Sequence, residues 1–472
     1  MSCTLPSASR IAAEIRSKSI SALEVARIHL ERIERLNPKL NAFVDWRPEL
    51  VLHQARDAEK AVMRADVLGP LHGVPVSIKA SIDVAEHRCE TGTRLRAGYV
   101  AAQDAPLVGR LRAAGAVILG VTNTPELLMA WETDNLLYGR TNNPWDLTRT
   151  PGGSSGGESA AIAAGLSAGG VGSDGGGSIR EPAHFTGICG LKPTPGRIPS
   201  TGHFPKSGGP FALLGVVGPM ARTVADLKLL FEAMAGPDDG DPCSAPVSLR
   251  EIGEKELGGV GVGFFEDDGH TPVTAETRMA VTQAANLLSQ RGLRVEPFRP
   301  DGLQEARQLW WKFFGIAGGM ILGPMLRGHE SELSPILREF ISWTAAEPSH
   351  TGDSLLATWL GRDDVRERVL LQMRNYPVLL CPTASIPAFR HGEREWQLEG
   401  KTVKYLDAWS YCEWFNLLGF PAMVVPVGRS PEGLPIGVQI VGRPWEEELV
   451  LAVAFVLEEA RGEWSQPPMA SA

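Results

Sequence analysis

Val74-Pro75-Val76-Ser77-Ile78-Lys79-Ala80-Ser81-Ile82-Asp83-Val84 alternates apolar with small or polar residues at a period of two, the pattern of a strand. Downstream, Leu107 to Ala114 repeats apolar residues at helical spacing, and Ala116 to Val121 is a short apolar run. Strand, helix and strand in that order make a βαβ unit. Two further stretches read the same way. Val260 to Phe265 precedes a helix from about Ala275 to Leu288, and Val378 to Leu380 leads into Cys381-Pro382-Thr383. The fold class is therefore α/β.

Outward from this frame, Ser21 and Glu24 form an S-x-x-E capping box ahead of Ala22, Ala26, Leu30 and Ile33, which predicts a helix ended by Asn37-Pro38. From about Leu303 to Leu371 the pattern is helical and aromatic. Trp310, Trp311, Phe313 and Phe314 read as core packing, with substrate contact as the alternative.

The chain of 472 residues is 43% hydrophobic and 21% charged, enough for a sizeable core and unlike a disordered chain. A net charge of −9 disfavours nucleic acid and anionic membrane surfaces, both of which need a basic face, so a small-molecule partner is expected. Cys3, Cys89, Cys189, Cys243, Cys381 and Cys412 form no C-x-x-C pair and read as free thiols, with no metal or cofactor implied. No signal-peptide-like run opens the chain, so cytoplasmic residence is the expectation.

Between Thr150 and Gly190 the composition changes. Pro151-Gly152-Gly153-Ser154-Ser155-Gly156-Gly157 is followed by Gly172-Ser173-Asp174-Gly175-Gly176-Gly177-Ser178-Ile179-Arg180. A flexible linker would be uniformly polar, but Ala160 to Leu166 between the two runs is apolar and helix-forming. Glycines serve where backbone must turn tightly or approach a ligand, and successive free N–H groups form a nest for negative charge. The distinguishing residues of phosphate and dinucleotide loops are missing. A transient oxyanion fits the nest better. Gly152 to Gly156 matches G-x-S-x-G, but no strand leads directly into it and no histidine stands in a triad setting; His184, His203, His329 and His391 read as surface or structural residues.

Taken together, His72 to Lys79, Pro151 to Gly157 and Gly175 to Pro182 closely resemble the motifs of the amidase signature family, and shorter matches such as Gly218-Pro219-Met220-Ala221-Arg222 and Gly433 to Gly442 follow in family order. The resemblance implies a large mixed, mostly parallel twisted sheet covered by helices on both faces. It implies a single unit over 1–472, with an N-terminal helical segment (1–66), a catalytic core (67–240) and a helical segment over the substrate pocket (300–375). It further implies Ser178 as nucleophile, Ser154, preceded by a cis peptide bond, as bridge, and Lys79 as base. Ser155 is the alternative bridge. A serine hydroxyl needs a base to become nucleophilic, and a desolvated lysine can be neutral near pH 7. The amides of Gly175, Gly176, Gly177 and Ser178 would form the oxyanion hole, supported by Ser155, Ser173, Asp174 and Arg180.

Ala80, where many relatives carry an acidic residue, removes a carboxylate that would hold Lys79 charged. Ser81, Ser173 and Glu181 also depart from the common pattern. By family register Leu128, Met129, Ala130 and Trp131 face the acyl side of the substrate, and their apolar character suggests an aryl or alkyl group. The expected activity is hydrolysis of an amide, anilide or carbamate (urethane), and also of esters, through an acyl-enzyme. A glutaminase component of an amidotransferase and a non-catalytic amide-binding relative are the alternatives; homodimerisation is left open.

Overall fold

The computed structural model describes residues 6–206 and 208–471, so Cys3 lies outside the described residues. Thirteen strands occur among them. They are β1 (Phe43–Trp46), β2 (Pro75–Lys79), β3 (Val117–Thr122), β4 (Gly169–Asp174), β5 (Cys189–Lys192), β6 (Val216–Ala221), β7 (Gly261–Phe264) and β8 (Arg294–Pro297), then β9 (Val378–Pro382), β10 (Glu395–Leu398), β11 (Lys401–Lys404), β12 (Ala422–Arg429) and β13 (Pro435–Val441). Eleven of them form one sheet in the order β1-β3-β2-β4-β6-β5-β12-β13-β9-β7-β8, and β10-β11 is a separate hairpin. This is the large mixed sheet expected. Its parallel pairings lie in two runs, β3-β2-β4 and β9-β7-β8, with antiparallel pairing between them.

The predicted βαβ unit is β2, the helix Pro106–Ala113 and β3. The strand stops earlier than Val84. After Lys79 the chain turns, with Ala80 N–H donating to the Thr122 carbonyl and Thr91 N–H donating to the Ala80 carbonyl. All five residues of β2 are buried: β3 and β4 pair on both its edges, Val76 and Ile78 enter an aliphatic core, and the helix Gly156–Ala163 packs against the strand. The period-two pattern therefore marks two buried faces.

The N-terminal helix spans Ala22–Leu40, with Ser21 Oγ accepting from Glu24 N–H at 3.0 Å. It runs through Pro38 instead of ending there. Proline removes only its own N–H, a single bond near the helix end, and the Asn37 side chain holds the chain as it leaves, accepting from the Ala42 and Phe43 amides at 2.8 Å each. Asn41, left-handed, then closes the helix.

Two apolar cores flank the sheet. One, rich in Val, Ile, Leu and Ala, joins the strands to the helices Val224–Met234, Ala275–Gln290 and Glu447–Arg461. The other is aromatic, with Trp131, Phe185, Trp310, Phe314, Phe389, Tyr405, Trp409 and Trp414. Into it runs a continuous helical stretch, Leu303–Trp311, a wide π turn over Lys312–Ala317 and Gly318–Leu326. By length and hydropathy alone 303–326 could cross a bilayer; half of its most apolar window is buried against the rest of the chain.

Candidate active site

The register of the parallel run decides which residues meet. Ile78 of β2 stands opposite Val171 of β4, so Lys79 at the carboxyl end of β2 lies beside Ser173 and Asp174 at the carboxyl end of β4. Parallel sheets commonly hold ligands beyond these strand ends. The helix Gly156–Ala163 packs on the same region because three of the first four residues of β4 are glycines. A Cβ on Gly170 would stand 1.8 Å from Glu158 Oε1, and one on Gly172 would stand 2.8 Å from Ser155 Oγ.

Lys79 is fully buried. Its ammonium nitrogen donates to Ser154 Oγ at 2.6 Å, Ser155 Oγ at 2.9 Å and Ser173 Oγ at 3.0 Å. Burial holds its pKa well below the usual lysine range, against the opposing pull of the Asp174 and Glu158 carboxylates. Glu158 pulls weakly, since burial raises its own pKa to about 7 despite bonds from Ser77 and Thr122. The peptide between Gly153 and Ser154 is cis, as the family resemblance implied.

Ser154 and Ser178 line one cavity, together with Ser173, Asp174 and Gly175. Ser154 rather than Ser155 is on the cavity wall; the Ser155 hydroxyl turns to the Ser173 carbonyl at 3.2 Å, and its amide donates to the Ser178 carbonyl at 3.1 Å. No hydrogen bond links the Ser154 and Ser178 hydroxyls among the described residues.

The glycine nest is anchored by Asp174. Its carboxylate accepts from Gly177 N–H at 2.8 Å, Ile179 N–H at 3.0 Å and the Arg180 guanidinium at 3.0 Å twice. Burial would raise the Asp174 pKa, but Arg180 outweighs this with help from Lys192 and the Gly177 amide, leaving the carboxyl far below its usual range. Arg180 in turn reaches Gln439 and Asn416, and Asn416 returns a bond to Asp174 at 3.0 Å. The Gly177 amide is thus taken, which corrects its assignment to the oxyanion hole. The amides of Gly175, Gly176 and Ser178 have no protein acceptor among the described residues. The Glu181 carboxyl is taken up by the serine loop: its Oε2 accepts from Gly153 N–H at 2.9 Å, and burial raises its pKa well above the usual range.

Of the four residues expected on the acyl side, Leu128 and Met129 line the cavity. Ala130 and Trp131 do not. The Trp131 indole is drawn behind the nest, where Nε1 donates to the Gly176 carbonyl at 2.9 Å and the ring stacks on Trp409. The rest of the wall includes Leu127, Phe211, Val216, Val217, Phe314, Ile321 and Leu322. Trp310 and Phe313 are core residues, as expected of that aromatic run, whereas Phe314 also reaches the cavity wall.

His203, read as surface or structural, is on this wall. Its Nδ1 donates to the Pro205 carbonyl at 3.0 Å, and burial together with the Lys79 charge lowers its pKa to about 4. Asn416 and Gln439 were missed as partners of Arg180 because they meet it only through long-range packing: Asn416 stands in no local pattern, and Gln439 lies in the Gly433 to Gly442 match, which carries no sign of its partner. Cys89, Cys189, Cys381 and Cys412 are buried free thiols and Cys243 is an exposed one.

A family model described as amidase matches residues 24–451. The chain is 34% identical over 461 residues to an indoleacetamide hydrolase of Bradyrhizobium diazoefficiens, covering 96% of this chain and 86% of that protein. It is also 34% identical over 487 residues to a glutamyl-tRNA(Gln) amidotransferase subunit from a Synechococcus species, covering 97% and 92%. The solved structure of a bacterial aryl acylamidase of the amidase signature family superposes with a TM-score of 0.87 at 28% identity, over 99% of this chain and 98% of that one. The family match runs over nearly the whole chain and includes the buried lysine bound to adjacent serines with a cis bond before the first: the chain belongs to the amidase family and is an amidase-signature enzyme that hydrolyses amides.

Proposed function

We propose that the protein hydrolyses a small amide-type substrate with an aryl or alkyl acyl group through an acyl-enzyme on Ser178. The observation that carries this reading is the buried Lys79 bonded to Ser154 on the wall of the cavity that also holds Ser178. Ser178 Oγ attacks the acyl carbon while its proton passes through Ser154 to neutral Lys79. Negative charge gathers on the former carbonyl oxygen, where the Gly175, Gly176 and Ser178 amides receive it; such donors are worth about 3–4 kcal/mol each in related chemistry. Lys79 returns the proton through Ser154 to the departing nitrogen, leaving the ester of Ser178. Water then attacks that ester along the same relay, releasing the acid and restoring the hydroxyl.

Asp174 and Arg180 hold the nest without reacting. The apolar wall of Leu127, Leu128, Met129, Phe211 and Phe314 supports an aryl or alkyl acyl group. Anilides, primary amides, carbamates and esters share the tetrahedral intermediate and all belong to the expected range, with amides and anilides favoured by the names of the relatives. Similarity to the amidotransferase protein supports a second reading, glutamine hydrolysis within a complex.

The test is intact-mass spectrometry after treatment with a fluorophosphonate, alongside turnover of p-nitroacetanilide, indole-3-acetamide, an aryl carbamate, an ester and L-glutamine. Wild type is expected to gain one adduct and hydrolyse the aryl amides, and Ser178→Ala to do neither. Turnover of glutamine alone favours the amidotransferase reading, and an unlabelled, inactive wild type favours a binding protein.

A further inference from the structure

Behind the glycine nest stand two indoles, each bonded to the chain by its one polar atom. Trp310 Nε1 donates to the Gly175 carbonyl and Trp131 Nε1 to the Gly176 carbonyl, both at 2.9 Å. Trp310 is held in turn by Phe314, whose ring stacks on it at 4.6 Å and 13°, and Phe314 is part of the cavity wall. The fit is close: a Cβ on Gly176 would stand 2.5 Å from the Trp310 ring.

In a trans peptide the C=O and the following N–H point in opposite directions. Holding the Gly175 carbonyl therefore fixes the Gly176 N–H, and holding the Gly176 carbonyl fixes the Gly177 N–H. The two cases differ. Gly177 N–H is already bound to Asp174 Oδ1, so its peptide is pinned at both ends. Gly176 N–H has no acceptor among the described residues, so Trp310 is the one polar anchor of that peptide. A glycine–glycine peptide has little of its own to stop it rotating, since neither side carries a Cβ.

We infer that Trp310 is a positioning residue for catalysis, holding the Gly175–Gly176 peptide so that the Gly176 N–H is presented to the oxyanion, and that Trp131 serves the neighbouring peptide redundantly with Asp174. This rests on the reading of Ser178 as nucleophile and of the nest as its oxyanion hole. It also ties substrate to nest, because an acyl group in the cavity presses on Phe314, and Phe314 lies flat on Trp310.

The experiment is the rate of fluorophosphonate labelling, which needs no knowledge of the substrate. Ser178 Oγ forms the bond to phosphorus, fluoride leaves, the serine proton passes to Lys79, and the phosphoryl oxygen occupies the oxyanion position. Trp310→Phe keeps an aromatic ring and removes the donor. Its maximal labelling rate is expected to fall about 10- to 100-fold, less than the loss of a whole oxyanion donor, while the reagent concentration at half-maximal rate stays within about 2-fold. Trp131→Phe is expected to lose less than about 3-fold, since Asp174 remains. A residue serving only the core would lower the melting temperature without this selective loss of maximal rate. Should Trp310→Phe fold poorly, benzothienylalanine at 310 keeps the bicyclic shape and lacks the N–H, and the same fall is expected. Labelling of the Trp310 variants at the wild-type rate, or a greater loss in Trp131→Phe, overturns the inference. Labelling of Ser178→Ala instead overturns the nucleophile reading on which it rests.

Discussion

Lys79 is a cation that folding has stripped of water. Its pKa in the folded chain lies well below that of an unfolded lysine, so between the two values the unfolded chain binds a proton that the folded chain excludes. Stability contributed by this residue is complete only above the unfolded pKa and declines as pH falls toward the folded one. Lys79→Met is thus expected to abolish turnover yet to unfold at higher denaturant than wild type at pH 7, by about 0.5–2 kcal/mol, with the gap closing toward pH 10. A methionine variant less stable than wild type at both pH values would contradict this. In the mechanism proposed above only neutral Lys79 accepts the serine proton, so kcat/KM is expected to fall as pH drops through the folded value. At this scale the sequence was legible in that Lys79, Ser154 and Ser178, which repeat a family pattern, come together. It was illegible for Gly177 and Trp131, since a backbone N–H and an indole are assigned by what lies across from them, and composition does not carry that.

At the scale of elements, β4 and the turn after it form a clamp closed by Arg180, Asn416 and Gln439. Asn416→Ala removes bonds to Asp174 and to the Leu214 carbonyl and leaves Arg180 one acceptor short. We expect a loss of about 1–3 kcal/mol in chemical denaturation and a fall in kcat, because an unpaired buried group bears its full desolvation cost. Arg180→Leu leaves Asp174 buried without its partner and is expected to cost about 3–5 kcal/mol, read as loss of soluble, folded protein. Element type was legible from periodicity, as in the βαβ unit. Boundaries were less so: β2 ends at Lys79 because of a turn fixed by Thr91 and Thr122, and the first long helix continues past Pro38 because proline removes only one bond there and Asn37 holds the amides that follow the helix.

For the whole molecule, burial is unevenly distributed across the sheet. β2, β3, β4, β6 and β13 are buried along their whole length, whereas β8 is exposed at both ends and β10 and β11 form a hairpin outside the sheet. In hydrogen exchange the amides of the central strands are expected to exchange only by global unfolding, and those of 294–297 and 395–404 earlier. Early exchange in β2 or β4 would mean the site is less rigid than its packing. This sheet order was not legible from the chain, since pairings such as β5 with β12 join segments distant in sequence, and no local pattern encodes a partner.

The reacting groups and the acyl wall come from different parts of the chain. Lys79, Ser154 and Ser178 ride on or beside the sheet, while Phe314, Ile321 and Leu322 come from the helical stretch over it. Inheritance can act on the two separately. On the proposed mechanism, mutations that reshape the wall would change which acids are released without disturbing how they are released, so descendants of one ancestor could diverge in diet while sharing one chemistry.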